Sequence, residues 1–347
     1  MTNAEPVYHL ALRDIHAAAG ATFGLHVGWS LPLSYGDVVA EHEALRTQAV
    51  AFDRSNRSRI LVSGTDALDV LTAVFAGHVE EIDEGRAMRT VSLDAEGNIA
   101  DLALIARTGG IAYFVSGEPD RRFDTLARLQ RAVAPGYDAR VDDRTESTCL
   151  IALAGPAAAQ AANDHLSEAL PARLQTLHCV TFEFHGFRAL ATRTSDTGED
   201  GFEFMLAPAV AQHILETLKA GGIPLAGLQA TEIARIEACI PAFTPELEPG
   251  LSPAEADLDA LLDVPGGRDG RILAGLLLEG DPAPAGTPIT LDGAAIGDLR
   301  SSVRSPGLNA TIGLGIIDVR HAFPGQAVVI GAQAATVVAK PFFRRRT

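Results

Sequence analysis

Cysteine is scarce in this chain, and no spacing of cysteine or histidine suits a metal. Its 347 residues include three cysteines, Cys149, Cys179 and Cys239. Their number is odd and no C-x-x-C pair occurs, which argues against a disulfide framework and against a zinc motif. The ten histidines form neither an H-x-x-x-H nor an H-E-x-x-H pattern. We therefore expect three core thiols and no metal site.

Basic residues are also few. The chain has 28 basic and 44 acidic residues, a net charge of −16, which disfavours nucleic acid and anionic membranes as partners. No apolar run approaches the roughly 18 residues of a membrane span, and the N-terminus shows no basic region followed by an apolar stretch. We expect a cytoplasmic protein with no membrane or nucleic-acid partner, long enough for two or three domains.

Helix and strand patterns alternate irregularly, which predicts an α+β fold. Three strands, at 88–93, 99–107 and 111–117, lie between the helical patterns 64–77 and 120–133 and predict one compact unit over about 53–149. A further unit follows, with one long strand predicted at 180–193 and another at 201–206. After a Pro- and Gly-rich stretch, short strands from 271 onward predict a small antiparallel barrel or sandwich.

Motifs for common chemistries are missing, since no nucleophile elbow, Walker loop or dinucleotide fingerprint occurs. Two isolated charges remain as candidates. Asp101 is the only charged residue between Ile99 and Ala106, and it is either an edge-strand side chain facing solvent or a partly buried carboxylate placed to hydrogen-bond an amine. Arg235 either pairs with Glu232 or Glu237 on a helix surface or belongs to a site.

The segment RTSDTGEDGFEF, residues 193–204, is rich in carboxylates. Four of its residues are acidic, namely Asp196, Glu199, Asp200 and Glu203. Thr-Gly and Asp-Gly are common turn dipeptides, so a solvated hairpin is one interpretation. The other is that these carboxylates bind a ligand.

Several segments, in their order along the chain, resemble the aminomethyltransferase (T-protein) family of the glycine cleavage system. They are GWSLPLSYGDVVAEHEALRTQAVAFDRS (28–55), EGNIADLAL, YFVSG, IALAGP, TSDTGEDGFEF, ARIEACIP and IGDLRSSVRSPGLNATIGLGII. The similarity extends from about residue 20 to the end of the chain. The T-G-E-D-G block and the N-terminal block are its most specific parts.

The resemblance implies a three-domain cloverleaf around a central folate channel. It places a discontinuous first domain at 1–52 and 150–245, an inserted α+β domain at 53–149, a linker at 246–270 and a C-terminal β-barrel at 271–347. It implies a tetrahydrofolate-dependent one-carbon transferase. By the same resemblance, Glu199 would accept hydrogen bonds from the pterin ring of the folate. Asp101 would orient the folate nitrogen that accepts the one-carbon unit and would take up or release its proton.

The resemblance also assigns the other site residues. Arg235 matches an arginine near the folate and the substrate, Met88 and Val115 match apolar walls of the pterin pocket, and Asp196 replaces a tyrosine beside the folate-binding glutamate. Trp29, Tyr35, Asn56 and Arg57 would lie on the substrate side. Arg57 stands where the family has a methionine, Gly117 where it has an asparagine, and Phe243 where it has a tyrosine.

These departures cluster where the aminomethyl-lipoyl arm would arrive, which predicts retained folate binding and a changed one-carbon donor. The leading hypothesis is a demethylase that moves a methyl group from a small O-, N- or S-methylated substrate to tetrahydrofolate. The second is a glycine-cleavage T-protein, which makes 5,10-methylenetetrahydrofolate and ammonia with a lipoyl carrier protein as its partner. The third is a non-enzymatic folate-binding factor.

Overall fold

The computed structural model describes residues 6–167, 170–248, 250–262 and 270–345. Contacts between backbone segments divide the chain into two compact units. The first unit comprises residues 1–92, 101–195 and 199–230, and the second comprises 93–100, 196–198 and 231–347. Each unit is described by itself below.

The first sheet of the first unit has five antiparallel strands. In spatial order they are Cys179–Phe184, Phe187–Thr192, Gly201–Leu206, Cys149–Ala154 and Val50–Asp53. Cys149–Ala154 is buried along its whole length, as expected for an apolar inner strand covered on both faces. Its core includes side chains from the helices Ala158–His165, Leu170–Arg173 and Pro208–Ala220.

The prediction of one long strand at 180–193 is wrong, because this stretch forms a two-stranded hairpin. His185 and Gly186 occupy the turn with φ values of 48° and 85°. Two successive left-handed residues are the geometry of a type I′ turn, which matches the twist of antiparallel strands. The alternating aromatic residues of VTFEFHGF run through this turn, so the sequence pattern alone did not separate the two strands.

A second five-stranded sheet is built from residues 58–143. Its strands, in spatial order, are Ala87–Leu93, Ile99–Gly109, Ala112–Gly117, Ser58–Ser63 and Arg140–Asp143. Val70, Leu71 and Leu129, from the helices Ala67–Thr72 and Arg122–Ala132, belong to its apolar core. The apolar pattern of 120–133 predicts Phe123 on the inward face together with Leu126, Leu129 and Val133. Phe123 is instead 57% exposed, because the buried positions of its helix are 122, 125 and 129.

A three-stranded sheet and two helices complete the N-terminal part of the first unit. The strands are Tyr8–His9, Trp29–Ser34 and Thr22–His26, and the helices are Arg13–Ala18 and Val38–Thr47. Asp37 begins the second of these helices, because its side chain accepts hydrogen bonds from the backbone N–H groups of Val39 and Ala40. The helix Leu228–Glu237 leads into the second unit.

The second unit contains a closed six-stranded barrel, which confirms the α+β class with a C-terminal antiparallel barrel. Its strands, in order around the barrel, are Arg271–Leu278, Ala310–Asp318, Ala294–Ser305, Pro288–Leu291, Ala327–Ile330 and Gln333–Val338. Aliphatic side chains such as Leu276, Ile289 and Leu299 form its interior.

Short helical turns connect the larger elements. They are Val79–Glu81, Pro119–Arg121, Phe243–Leu247, Asp259–Leu261 and Val319–His321. Of the predicted linker 246–270, residues 249 and 263–269 lie outside the described residues. In the part of the chain that is described, no helix is both long and apolar enough to cross a membrane.

Candidate functional site

The carboxyl group of Asp101 is completely buried. Its strand, Ile99–Gly109, is an inner strand of the second sheet, and Ile99 and Ala103, which share its face by alternation, are buried as well. The solvent-facing alternative for this aspartate is therefore wrong. A buried carboxyl group needs hydrogen-bonding partners, since leaving it unpaired in the core would be costly.

Both oxygens of this carboxyl group have partners within the first unit. The hydroxyl of Thr125 donates to Oδ2 over 2.6 Å, and the backbone N–H of Glu118 donates to Oδ1 over 3.0 Å. Gly117 passes so close that a Cβ at this position would lie 2.5 Å from Oδ2. The glycine at position 117 therefore leaves room for the carboxyl group.

The surroundings of Asp101 place its titration near neutral pH. Burial raises the pKa of Asp101 to about 7, although the hydrogen bonds from Thr125 and Glu118 act in the opposite direction. The charge of Glu118 raises this pKa further and that of Arg57 lowers it. Arg57 Nη1 lies 2.8 Å from Glu118 Oε1, so these two side chains form an ion pair beside the carboxyl group.

Three carboxylates of the acidic segment, Glu199, Asp200 and Glu203, are buried, so the solvated-hairpin interpretation is wrong for them. Each pairs with an arginine of the first unit. The pairs are Glu199 with Arg46 (3.3 Å), Asp200 with Arg193 (2.5 Å) and Glu203 with Arg54 (3.3 Å). These arginines compensate the loss of hydration that burial imposes on the carboxylates.

The Asp200 pair is bidentate, because Arg193 Nε also donates to Asp200 Oδ1 over 3.0 Å. Arg193 additionally donates to the carbonyl oxygen of Leu174 over 2.8 Å. Asp200 therefore has a structural role within the first unit. In the Glu199 pair, Oε1 of the carboxylate accepts from Nη1 of Arg46 over 3.3 Å.

Arg235 lies in the second unit and is buried. It pairs with Glu232 (2.7 Å) and Glu246 (3.1 Å), and its Nη1 donates to the carbonyl oxygen of Ile240 over 2.7 Å. Burial alone would lower the pKa of Arg235, but the two carboxylates raise it. Glu232 was one of the predicted partners, whereas Glu237 instead accepts from Ser305. Asp196, also in the second unit, is half-buried.

The two candidates for apolar walls of the pterin pocket, Met88 and Val115, belong to the core of the second sheet. Val115 is fully buried there and Met88 packs against the same cluster. Trp29 is buried with its ring 5.2 Å from that of Tyr8. Asn56 lies half-buried in the turn before Ser58–Ser63.

The hydroxyl of Tyr35 belongs to a buried hydrogen-bonded chain. It shares a hydrogen bond of 2.7 Å with Nδ1 of His16, and His16 Nε2 lies 2.9 Å from Asp53 Oδ2. Burial, together with the charges of Asp53 and Glu41, raises the pKa of Tyr35. This chain links helix Arg13–Ala18 to the strands that surround it.

The cysteines behave as thiols of the protein interior. Cys149 and Cys179 are buried and Cys239 is half-buried, and burial raises the pKa of each thiol to about 11. Among the described residues, no group of three or more His, Cys, Asp or Glu side chains is arranged to hold a metal ion.

Of the predicted site residues, Arg57 and Asp101 share a contact residue, because Glu118 pairs with Arg57 through its side chain and donates to Asp101 through its backbone N–H. Sequence reasoning missed Glu118, Thr125 and Arg46. Glu118 directly follows the strand Ala112–Gly117, and Thr125 sits on the buried face of its helix, so correct helix phasing could have identified Thr125. Arg46 pairs with a residue 153 positions away, and no local pattern reveals such a partner.

Comparisons with known proteins cover nearly the whole chain. The family model described as "GCVT N-terminal domain" matches residues 12–265, and the one described as "Glycine cleavage T-protein C-terminal barrel domain" matches 271–344. A protein named aminomethyltransferase from Streptomyces avermitilis is 32% identical, with 97% of this chain and 98% of that protein covered. Another of the same name, from Saccharopolyspora erythraea, is 33% identical, with 96% and 97% covered.

A solved structure gives the same result for the fold. The glycine cleavage system aminomethyltransferase T from Bartonella henselae matches with a TM-score of 0.89 and 25% sequence identity. The match covers 98% of this chain and 99% of that one.

Proposed function

The chain belongs to the glycine cleavage T-protein family of tetrahydrofolate-dependent one-carbon transferases, and on that premise we propose that it is an aminomethyltransferase. Its substrate is the aminomethyl group bound to a sulfur of the lipoyl arm of a carrier protein, and its products with tetrahydrofolate are 5,10-methylenetetrahydrofolate, ammonia and the lipoyl arm with its thiol freed. The observation that carries this proposal is the buried carboxyl group of Asp101, with both oxygens hydrogen-bonded and a pKa of about 7.

The residues present fit tetrahydrofolate. The N–H-rich edge of a pterin ring requires hydrogen-bond acceptors, and a carboxylate supplies two in one plane. Glu199 carries such a group, buried and with its Oε1 3.3 Å from Nη1 of Arg46. When bound, tetrahydrofolate supplies the nitrogen nucleophiles that accept the one-carbon unit. Glu199 would hold the ring, and Asp101 would face the reacting nitrogens.

Asp101 supplies the proton chemistry of this proposal. A carboxyl group with a pKa of about 7 can both take up and release a proton at neutral pH, which is the condition for efficient general acid–base catalysis. The Thr125 hydroxyl and the Glu118 amide hold its two oxygens. The carboxyl group therefore keeps one orientation while its protonation changes.

A second candidate, favoured by one observation, is the demethylase. Arg57 replaces the thioether of the family pattern, and its ion pair with Glu118 places charge beside Asp101. The charged side chains of Arg57 and Glu118 would suit a small polar methyl donor better than the apolar stem of a lipoyl arm. Such a reaction would yield 5-methyltetrahydrofolate and the demethylated compound.

The test is an anaerobic incubation of the protein with tetrahydrofolate and either aminomethylated carrier protein or a panel of O-, N- and S-methylated compounds. Mass spectrometry of the folate products distinguishes the methylene from the methyl form. We expect methylenetetrahydrofolate with the carrier protein, lost in Asp101→Asn. Asp69→Asn, at an exposed position on the helix Ala67–Thr72, is the matched control. Methyltetrahydrofolate from a small donor alone would overturn the proposal in favour of the demethylase.

We also propose the three-domain division at 1–52 with 150–245, 53–149 and 271–347, with 246–270 as linker. The second sheet supports it, because all its strands fall within 53–149. The first sheet combines Val50–Asp53 with strands that begin at Cys149. Limited proteolysis should cleave first within 246–270; early cleavage within 53–149 would contradict these boundaries.

A further inference from the structure

We propose that His185 and His213 together bind a divalent late transition-metal ion, such as Ni²⁺ or Zn²⁺, through one ring nitrogen each. His185 occupies the turn of the hairpin 179–192, and His213 lies on the helix Pro208–Ala220 of the same unit. Nδ1 of His185 lies 2.7 Å from Nε2 of His213. The two histidines are 28 positions apart, so the spacing of histidines along the sequence did not indicate the pair. Neither residue has a role in the proposed transfer reaction.

The distance between the two nitrogens suits a chelate. Bonds from a metal ion to imidazole are about 2.0–2.1 Å long, so two ligands at the right angle of a tetragonal ion lie about 2.9 Å apart. The nitrogens of His185 and His213 are 2.7 Å apart, so a small increase in their separation makes room for such an ion. The rings also have to tilt until both lone pairs point at the ion, which the exposed position of His185 allows.

The hydrogen bond between the rings contains one proton, which metal binding only relocates. In a neutral histidine one ring nitrogen carries the proton and the other is an acceptor, so one of the two meeting nitrogens donates to the other. When that proton moves to the far nitrogen of its own ring, both meeting nitrogens present a lone pair and both imidazoles stay neutral. Neutral imidazole is the form that binds metal ions, so the exchange needs no net release of a proton.

One buried aromatic ring contacts both histidines. Phe184 is 2% exposed, and its ring stacks on that of His185 with centroids 4.3 Å apart and planes 12° from parallel. The centroid of the same phenylalanine ring lies 5.2 Å from that of His213. These contacts restrict both imidazoles before any ion binds, so less conformational entropy is lost on binding. The ion would then join the hairpin 179–192 to the helix Pro208–Ala220.

Water would fill the remaining coordination positions. In the part of the chain that the structure describes, no third His, Cys, Asp or Glu completes a metal-holding group with the pair. Two protein ligands should supply roughly half the binding free energy of a four-ligand structural zinc site, which corresponds to a Kd of roughly 1–200 µM. The net charge of −16 on the chain favours the approach of a cation.

The experiment is calorimetric titration of the full chain, without an affinity tag and treated with a chelator, with NiCl₂. We expect one saturable site, with Kd raised at least about tenfold in His185→Asn and in His213→Gln. Asparagine tolerates the left-handed φ of 48° at position 185. His78→Gln is the matched control, because His78 is also exposed but has Glu80 as its neighbour at 3.4 Å, and it should bind nickel like the unaltered protein. MgCl₂, whose ion prefers oxygen ligands, should not distinguish the proteins.

Urea unfolding with and without nickel is a second measurement. An ion that binds only the folded state stabilises it, so nickel at about ten times the measured Kd should raise the urea midpoint of the unaltered protein and of His78→Gln, but not of the other two variants. The curves without nickel show whether each variant folds. If His213→Gln does not fold, the exposed His185→Asn decides alone. No saturable binding of nickel, or equal affinity in His185→Asn and the unaltered protein, would overturn the site.

Discussion

Thr125 donates a hydrogen bond of 2.6 Å to Asp101 from a position 24 residues farther along the chain. Both side chains are fully buried, so the bond joins the helix Arg122–Ala132 to the sheet strand beneath it. A hydroxyl that donates to a carboxylate stabilises its charged form, and this bond therefore offsets part of the pKa increase that burial causes.

Replacing Thr125 with valine keeps the shape of the side chain and removes the donor. The pKa of Asp101 should rise, and the pH midpoint of the transfer activity should move upward with it. Above pH 7, where Asp101 is charged, loss of this buried hydrogen bond should lower the free energy of unfolding by about 2 kcal/mol. The pH–rate profile and urea denaturation measure these effects. Thr125→Ser retains the hydroxyl, and a serine variant as impaired as the valine variant would contradict this explanation.

Asp101 should make the protein less stable as pH rises. Its pKa is about 7 in the folded state against 3.8 for an ordinary aspartate, so between these values the folded state holds a proton that the unfolded state has released. The free energy of unfolding should then fall with pH, by up to about 1.4 kcal/mol per pH unit from this group. Asp101→Asn cannot titrate, so its stability relative to the unaltered protein should increase from pH 4 to pH 7. Urea denaturation at several pH values would show parallel curves if the idea is wrong.

Adding one methyl group at position 117 should disturb Asp101. The Cβ of an alanine would lie 2.5 Å from Asp101 Oδ2 and 2.8 Å from Ser58 Oγ, which forces both side chains to move. Gly117→Ala should lower transfer activity at least about tenfold and stability by roughly 1–3 kcal/mol. Gly110→Ala is the matched control, because a Cβ at Gly110 meets no atom within 4 Å. Equal activity in the two variants would show that the carboxyl group does not need this space.

Two neighbouring carboxylates of the acidic segment should respond differently to neutralisation. Glu199→Gln should weaken tetrahydrofolate binding about 10- to 100-fold, because one acceptor becomes a donor. Asp200→Asn removes the charge opposite Arg193 and should instead cost about 3 kcal/mol of stability. Isothermal titration with tetrahydrofolate and urea denaturation separate the two effects. A change of folate affinity only in Asp200→Asn would reverse these assignments.

Much of the architecture was predictable from the sequence, because apolar periodicity identifies elements wherever one face is buried. The strands near Asp101 and the C-terminal barrel agree with their patterns. The hairpin within 180–193 was predicted as one long strand, because the alternation of apolar and polar residues continues through the turn at His185 and Gly186. The helix after Pro119 was found, but with Phe123 on the wrong face, so the inward position of Thr125 was not foreseen.

The sequence by itself determined the family, the candidate residues and the face of the strand on which Asp101 lies. It could not decide whether that face meets solvent or core, because alternation assigns residues to two faces without saying what covers either. That decision, and the pairing of Glu199, Asp200 and Glu203 with arginines, came from the tertiary structure. Hydration, ion pairing and pKa depend on neighbours brought together across many intervening residues, as Arg46 and Glu199 are across 153 positions.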